Sequence, residues 1–192
     1  FASNTNLRID LSSPARNAGV PVAGIQTDFE NVSRNATNPC MGAIETTGDY
    51  RGPFINYTSF ANTATLSART LTVALTDSTG VPTSGSGLPV LYWNKNHGSW
   101  NAVTGIHLSG DQYQFTFGSG VVLGDSVFYY IAAEDTQNPP NVSVSPAMGA
   151  SGGTYNPPAF STPPSAPAAY KILKGLNGTI TVGSGGDYPN LT

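Results

Sequence analysis

The chain has 192 residues, a formal net charge of −3 and only 10% charged residues, against roughly 25% in average globular chains. It shows no basic patch of the kind a nucleic-acid binder carries, and no apolar run long enough to span a membrane. Cys40 is the single cysteine, which excludes a disulfide framework or a cysteine-rich metal site within one chain.

At 39% hydrophobic residues there is enough apolar material for a core. The 22 Gly and 15 Pro, with abundant Asn, Ser and Thr, match the composition of secreted all-β proteins, so an extracellular or cell-surface location is the expectation. No signal peptide stands at Phe1, and Phe1 is not a natural start, so the chain reads as a segment of something longer.

Residues 1–48 form a loop-rich N-terminal segment. Leu7 to Asp10 alternates as a short strand, and three or four short strands are expected across 1–45. Three stretches punctuate it: Ser13-Pro14-Ala15-Arg16-Asn17-Ala18-Gly19, Asp28-Phe29-Glu30 with Arg34 downstream, and Met41-Gly42-Ala43-Ile44-Glu45. These resemble the last coil of right-handed parallel β-helix proteins of bacterial surfaces, with Met41 in place of the family's Ile. The resemblance implies a cap that buries the last open edge of a solenoid. The earlier coils are absent from this sequence, so something outside it must complete the segment, or the segment packs differently.

Residues 46–52 read as a linker, and residues 49–174 as an antiparallel all-β sandwich. Pro53 to Tyr57 is a first strand. Thr70 to Thr76 alternates, with Leu71, Val73 and Leu75 inward. Leu88 to Asn94 and Trp100 to Thr104 are joined by the hairpin-type turn Lys95-Asn96-His97-Gly98. Gln112 to Phe117 places Tyr113, Phe115 and Phe117 on one face. Ser126 to Asp135 is apolar on both faces for most of its length, as a central strand should be. Residues 136–168 are dense in Pro, Gly, Ser and Asn and read as one long loop, either a decorated crossover or a functional loop. Ala169 to Leu173 is a last strand.

Short strands at regular spacing with Gly, Asn and Asp turns predict a sandwich. Gly52-Pro53, Trp93 and Tyr129 to Asp135 resemble immunoglobulin-like and fibronectin III-like modules of bacterial cell-surface proteins. That resemblance covers roughly residues 49–174, and the architecture hosts many functions.

Residues 175–192 close the chain. Thr181-Val182-Gly183-Ser184-Gly185-Gly186-Asp187-Tyr188-Pro189-Asn190-Leu191 resembles the opening strand of pectinesterase- and pectate-lyase-like β-helices. The segment therefore runs from the end of one β-helix, through a sandwich, into the start of the next. Alternatively the 192 residues are one repeating subunit whose two ends complete each other between neighbours, a heterologous contact that gives an open filament.

Chemistry-bearing constellations are sparse. Trp93 alternates in phase with Leu91 and is read as core rather than as a sugar platform. Trp100, Tyr92 and Tyr130 are candidates for an exposed sugar or partner contact. His97 in a turn and His107 near a strand end lack partners at metal-ligand spacing. The chain carries no Gly-x-Ser-x-Gly elbow or phosphate loop, and nothing selects a glycosidase pair among its 11 acids.

The immunoglobulin-like order brings Asp49, Asp77, Glu134 and Asp135 to one pole. Oxygen-rich groups on adjacent loops suit Ca²⁺, and the same residues also read as turn formers bonding their own backbone. Asn-x-Ser/Thr sequons start at Asn31, Asn35, Asn56, Asn141, Asn177 and Asn190. Asp77-Ser78-Thr79 matches a permissive bacterial O-glycosylation pattern, with Ser78 in a turn.

The expected function is a non-catalytic extracellular structural module of a repetitive surface or fibre-forming protein. It would join neighbouring copies or domains end to end through strand addition. The alternative is a polysaccharide-binding accessory module of a carbohydrate-active β-helix protein.

Overall fold

The computed structural model describes residue 9, residues 13–45 and residues 51–173. Among these lie eleven strands and no helix: β1 Phe54–Asn56, β2 Arg69–Thr76, β3 Val90–Lys95, β4 Asn101–Thr104, β5 Ile106–Ser109, β6 Gln112–Phe117, β7 Ser126–Glu134, β8 Val142–Ser145, β9 Ser151–Thr154, β10 Ala159–Thr162 and β11 Ala168–Lys171. One sheet has the order β1-β2-β6-β5. The other has the order β11-β7-β3-β4, with β8 also paired to β7. Every strand pairing is antiparallel. This division of strands into antiparallel sheets is that of an all-β sandwich.

The inward faces follow the period-2 alternation of their sequences. Leu71, Val73 and Leu75 of β2, with Tyr113, Phe115 and Phe117 of β6, meet Leu91 of β3 and Val127, Tyr129, Ile131 and Ala133 of β7. The β2–β6 register sets Leu71 opposite Phe115 and Val73 opposite Tyr113, so branched and aromatic side chains pair across the sheet. Trp93 is half-buried and packs onto this core, its ring 6.3 Å from that of Phe117.

β7 holds the second sheet together. It pairs with β3 through residues 127–132. Its other edge is shared, by β11 along residues 126–129 and by β8 along 131–134. Its outward face is covered as well. Tyr130 stacks on Tyr92 at 5.0 Å and 16°, and Trp100 meets Tyr130 edge-on at 4.8 Å. Such pairs contribute about 0.5–1.5 kcal/mol each beyond their buried area.

The strand registers define two poles. Phe54 at the start of β1 lies opposite Thr76 at the end of β2. Thr136, just past β7, donates from its backbone N–H to the Gly80 carbonyl and from its hydroxyl to the Thr79 carbonyl. The start of β1, the turn after β2 and the end of β7 therefore share one pole. At the opposite pole Lys171, the last residue of β11, pairs with Ser126, the first of β7. Ile172 there donates to the Asp125 carbonyl and accepts from Gly124. The chain enters the sandwich at one pole and leaves at the other.

Two expectations are corrected. Residues 136–168 are not one long loop. They contain β8 and the β9–β10 hairpin, which folds back so that the Tyr92 hydroxyl donates to the Pro158 carbonyl at 3.1 Å. The predicted short strands of 1–45 are also not seen among the described residues 13–45, whose only pairing is the isolated bridge Thr27 to Ser33. Pro14, Pro21 and Pro39 withhold N–H donors, Asn17 and Asn31 adopt left-handed backbone, and side-chain acceptors take the amides a ladder would use. The resemblance of residues 175–192 to a β-helix start, and the Leu7–Asp10 strand apart from Ile9, lie outside the described residues.

Candidate functional site

At the entry pole the acids act as acceptors for backbone amides. Asp77 Oδ1 accepts from the Thr79 N–H at 2.8 Å and from its hydroxyl at 2.7 Å. Asp135 is 1% exposed. Its Oδ1 accepts from the N–H groups of Gln137 (3.0 Å) and Asn141 (2.8 Å), and its Oδ2 from Asn141 Nδ2 at 2.6 Å. Glu134, also 1% exposed, accepts from the Asn156 N–H at 2.8 Å. Burial pushes the Glu134 carboxyl above its ordinary range; the Asn156 bond opposes this and the neighbouring Asp135 adds to it.

The structure thus brings Asp77, Glu134 and Asp135 to the pole the sequence assigned, linked through Thr136. Each carboxylate fixes a turn or clamps the returning hairpin. Asp49, the fourth proposed calcium ligand, lies outside the described residues. No group of three His, Cys, Asp or Glu among the described residues is arranged to hold a metal ion. Ser78, the proposed glycosylation residue, is exposed in the bend after Asp77.

The histidines and aromatics are dispersed. His97 lies over Phe128 with ring centroids 4.0 Å apart and tilted by 31°, whereas His107 lies against Tyr113 with Nε2 at 2.9 Å from the Gly110 carbonyl. Tyr130 is buried and Tyr92 and Trp100 are half-buried, so they pack against one another rather than form an open platform. An open groove of about 480 Å³ does lie beside the entry pole, where Pro139 and Pro140 face Tyr155 and Phe160. Tyr155 there is exposed and Phe160 half-buried. Nothing in the sequence marked these two aromatics, because they sit in a Pro/Gly-rich stretch without alternation.

In residues 13–45 the second and third motif stretches converge on a buried polar knot. Asp28 Oδ1 accepts from the N–H groups of Glu30 and Val32, and Oδ2 from that of Glu45 at 2.7 Å. Burial pushes the Asp28 carboxyl up, but these amides and Arg34 outweigh it and hold the carboxyl below its ordinary value. Arg34 donates to the carbonyls of Cys40 (3.2 Å) and Gly42 (2.6 Å) and lies 3.6 Å from Glu45. Glu45, itself buried, accepts from the Cys40 N–H. Asp28, Arg34 and Glu45 are therefore structural members of one loop scaffold.

That scaffold turns apolar side chains outward. Val20 is 82% exposed, Val22 61%, Ile25 55% and Met41 62%. They border a groove of about 1070 Å³ made wholly by residues 19–41. Single exposed apolar residues are ordinary, whereas these four cluster around one groove.

No protein-family model matches the chain, and no curated protein matches it.

Proposed function

We propose that this protein is a non-catalytic extracellular structural module of a repetitive surface or fibre-forming protein, joined end to end through the segments at its two ends. The observation that carries this reading is the polarity of the sandwich. The chain enters beside Thr76 and Glu134 and exits beside Ser126, so segments attached at the two ends are tethered to opposite poles. A module threaded in this way is a spacer in series, and a contact between unlike ends propagates rather than closes. The acids support a non-catalytic role: Asp28, Asp77, Glu134 and Asp135 accept from backbone amides that hold loops in place. The low charge and high Asn, Ser, Thr and Gly content supports an extracellular setting. Electron microscopy of the concentrated protein tests the reading. Linear strings of particles are expected, and uniformly isolated particles contradict it.

A second reading, a polysaccharide-binding module, is favoured by the groove between Pro139-Pro140 and Tyr155/Phe160. Aromatic faces beside a groove suit stacking on sugar rings. It predicts retardation in affinity gels containing polysaccharide that Tyr155→Ala abolishes; equal mobility with and without every polysaccharide removes it.

A further inference from the structure

We infer that the groove of residues 19–41, with its exposed apolar border, receives residues 176–191 of a second copy of this chain, an inference that rests on the end-to-end reading and specifies its contact. The groove, at about 1070 Å³, slightly exceeds the roughly 300–1,000 Å³ range of small-molecule sites. Its border of Val20, Val22, Ile25 and Met41 is exposed and apolar. Such a border favours an apolar chain segment over a small polar solute.

The occupant is chosen from the chain's own remaining length. Residues 174–192 follow the exit pole and lie outside the described residues. Their sequence supplies Leu176, Ile180, Val182, Tyr188 and Leu191, spaced among Gly, Thr and Ser, with Ile180 and Val182 two apart as in a strand that presents one apolar face.

Polarity decides between the chain's own tail and a neighbour's. The groove segment ends at Glu45, which six steps of chain tie to Arg51 at the entry pole, so that end of the segment lies within about 20 Å of that pole. The tail departs from the opposite pole, and β7, with 9 residues, sets the separation at about 30 Å at ~3.3 Å per residue. A tail returning to its own groove would spend roughly nine residues, 174–182, on the crossing. That would use up Leu176, Ile180 and Val182 along the side of the sandwich. In a head-to-tail stack the exit pole of one copy faces the entry pole of the next, and all five apolar residues are available to the groove. The contact joins unlike surfaces, so it leaves one groove and one tail unsatisfied at the two ends of any row.

The test is thiol crosslinking of the full chain. Val22→Cys and Ile180→Cys are combined and treated with a short bifunctional maleimide, each single variant serving as a control; Cys40 is buried and contributes little. The inference predicts a ladder of dimers, trimers and higher species from the double variant, and at most dimers from the singles. A Val20→Asp/Ile25→Asp pair added to the double variant alters only exposed positions, so the fold is kept, and should reduce the ladder at least tenfold. A crosslinked species that runs as a monomer overturns the inference in favour of the chain's own tail, and no crosslink at all overturns it outright. If strings persist by electron microscopy while the crosslink fails, the end-to-end reading stands and the groove-to-tail contact alone is wrong.

Discussion

Asp135→Ala removes one buried carboxylate that organises the loop after β7. Three donors lose their acceptor: the N–H groups of Gln137 and Asn141 and the Asn141 side-chain amide, at 3.0, 2.8 and 2.6 Å. Bonds to a charged acceptor contribute about 1.5–3 kcal/mol each. They are not additive, and water reaches the surface side of the loop, so the expected loss is about 3–4 kcal/mol rather than the full sum. Asp135→Asn keeps the Oδ1 acceptor but sets an NH₂ against Asn141 Nδ2, and should cost about 1–2 kcal/mol. Urea unfolding followed by the fluorescence of Trp93 and Trp100 gives both values, with the urea slope m unchanged if only stability has moved. At roughly 3 °C per kcal/mol for a domain of this size, the alanine variant melts about 10 °C lower. A loss below 1 kcal/mol for Asp135→Ala would refute the account of this pole as an amide-bonded turn. The same samples test the calcium reading. If the carboxylates serve the backbone, millimolar Ca²⁺ or chelator leaves the wild-type Tm unchanged; a rise with Ca²⁺ that Asp135→Ala abolishes would restore the site with Asp49.

Ile131→Ala empties a position that is 0% exposed between the sheets and should cost about 3–4 kcal/mol, read in the same urea assay. Stability should also pass through a maximum in mild acid. The Glu134 pKa is raised above its ordinary 4.5, so its contribution is fully present below 4.5 and lost as pH rises through the folded value. The Asp28 and Asp125 pKa values are lowered below 3.8, so their contributions are present above 3.8 and lost as pH falls through the folded values. For Asp125 the Val122 N–H and the Asn96 side chain are the leading causes. Glu134→Gln should flatten the neutral limb and leave the acid limb intact, measured by Tm against pH. Burial pushes the hydroxyls of Tyr57 and Tyr130 up to about 12. Ultraviolet titration should therefore leave at least two tyrosines un-ionised at pH 11 while the fold persists, and Tyr130→Phe should lower that number by one.

The sandwich was legible where alternation was strong. Residues 70–76, 112–117 and 126–135 announce β2, β6 and β7 because each puts large apolar or aromatic side chains on the inward face every second position. β5 escaped notice because it is a short edge strand with a register shift after His107, and its Ile106 and Leu108 face outward. The β9–β10 hairpin was illegible for another reason: Ser151-Gly152-Gly153-Thr154 has no apolar residue, and its pairing rests on backbone bonds to Ala159–Thr162. Missing that hairpin hid the environment of Glu134. A Glu-Asp pair followed by Asn and Pro reads as a solvated strand end, yet the returning chain buries both carboxylates. In residues 13–45 the motif spacing carries no sign that side-chain acceptors replace strand ladders there.

If unlike ends of successive copies meet, sedimentation equilibrium of the full chain detects the contact. An end-to-end contact predicts a weight-average mass that climbs without a plateau as concentration rises, because each added copy presents a fresh groove and a fresh tail. A mass that stays at the 19.9 kDa of one chain, or that levels off at twice that value as a closed symmetric dimer would, contradicts it.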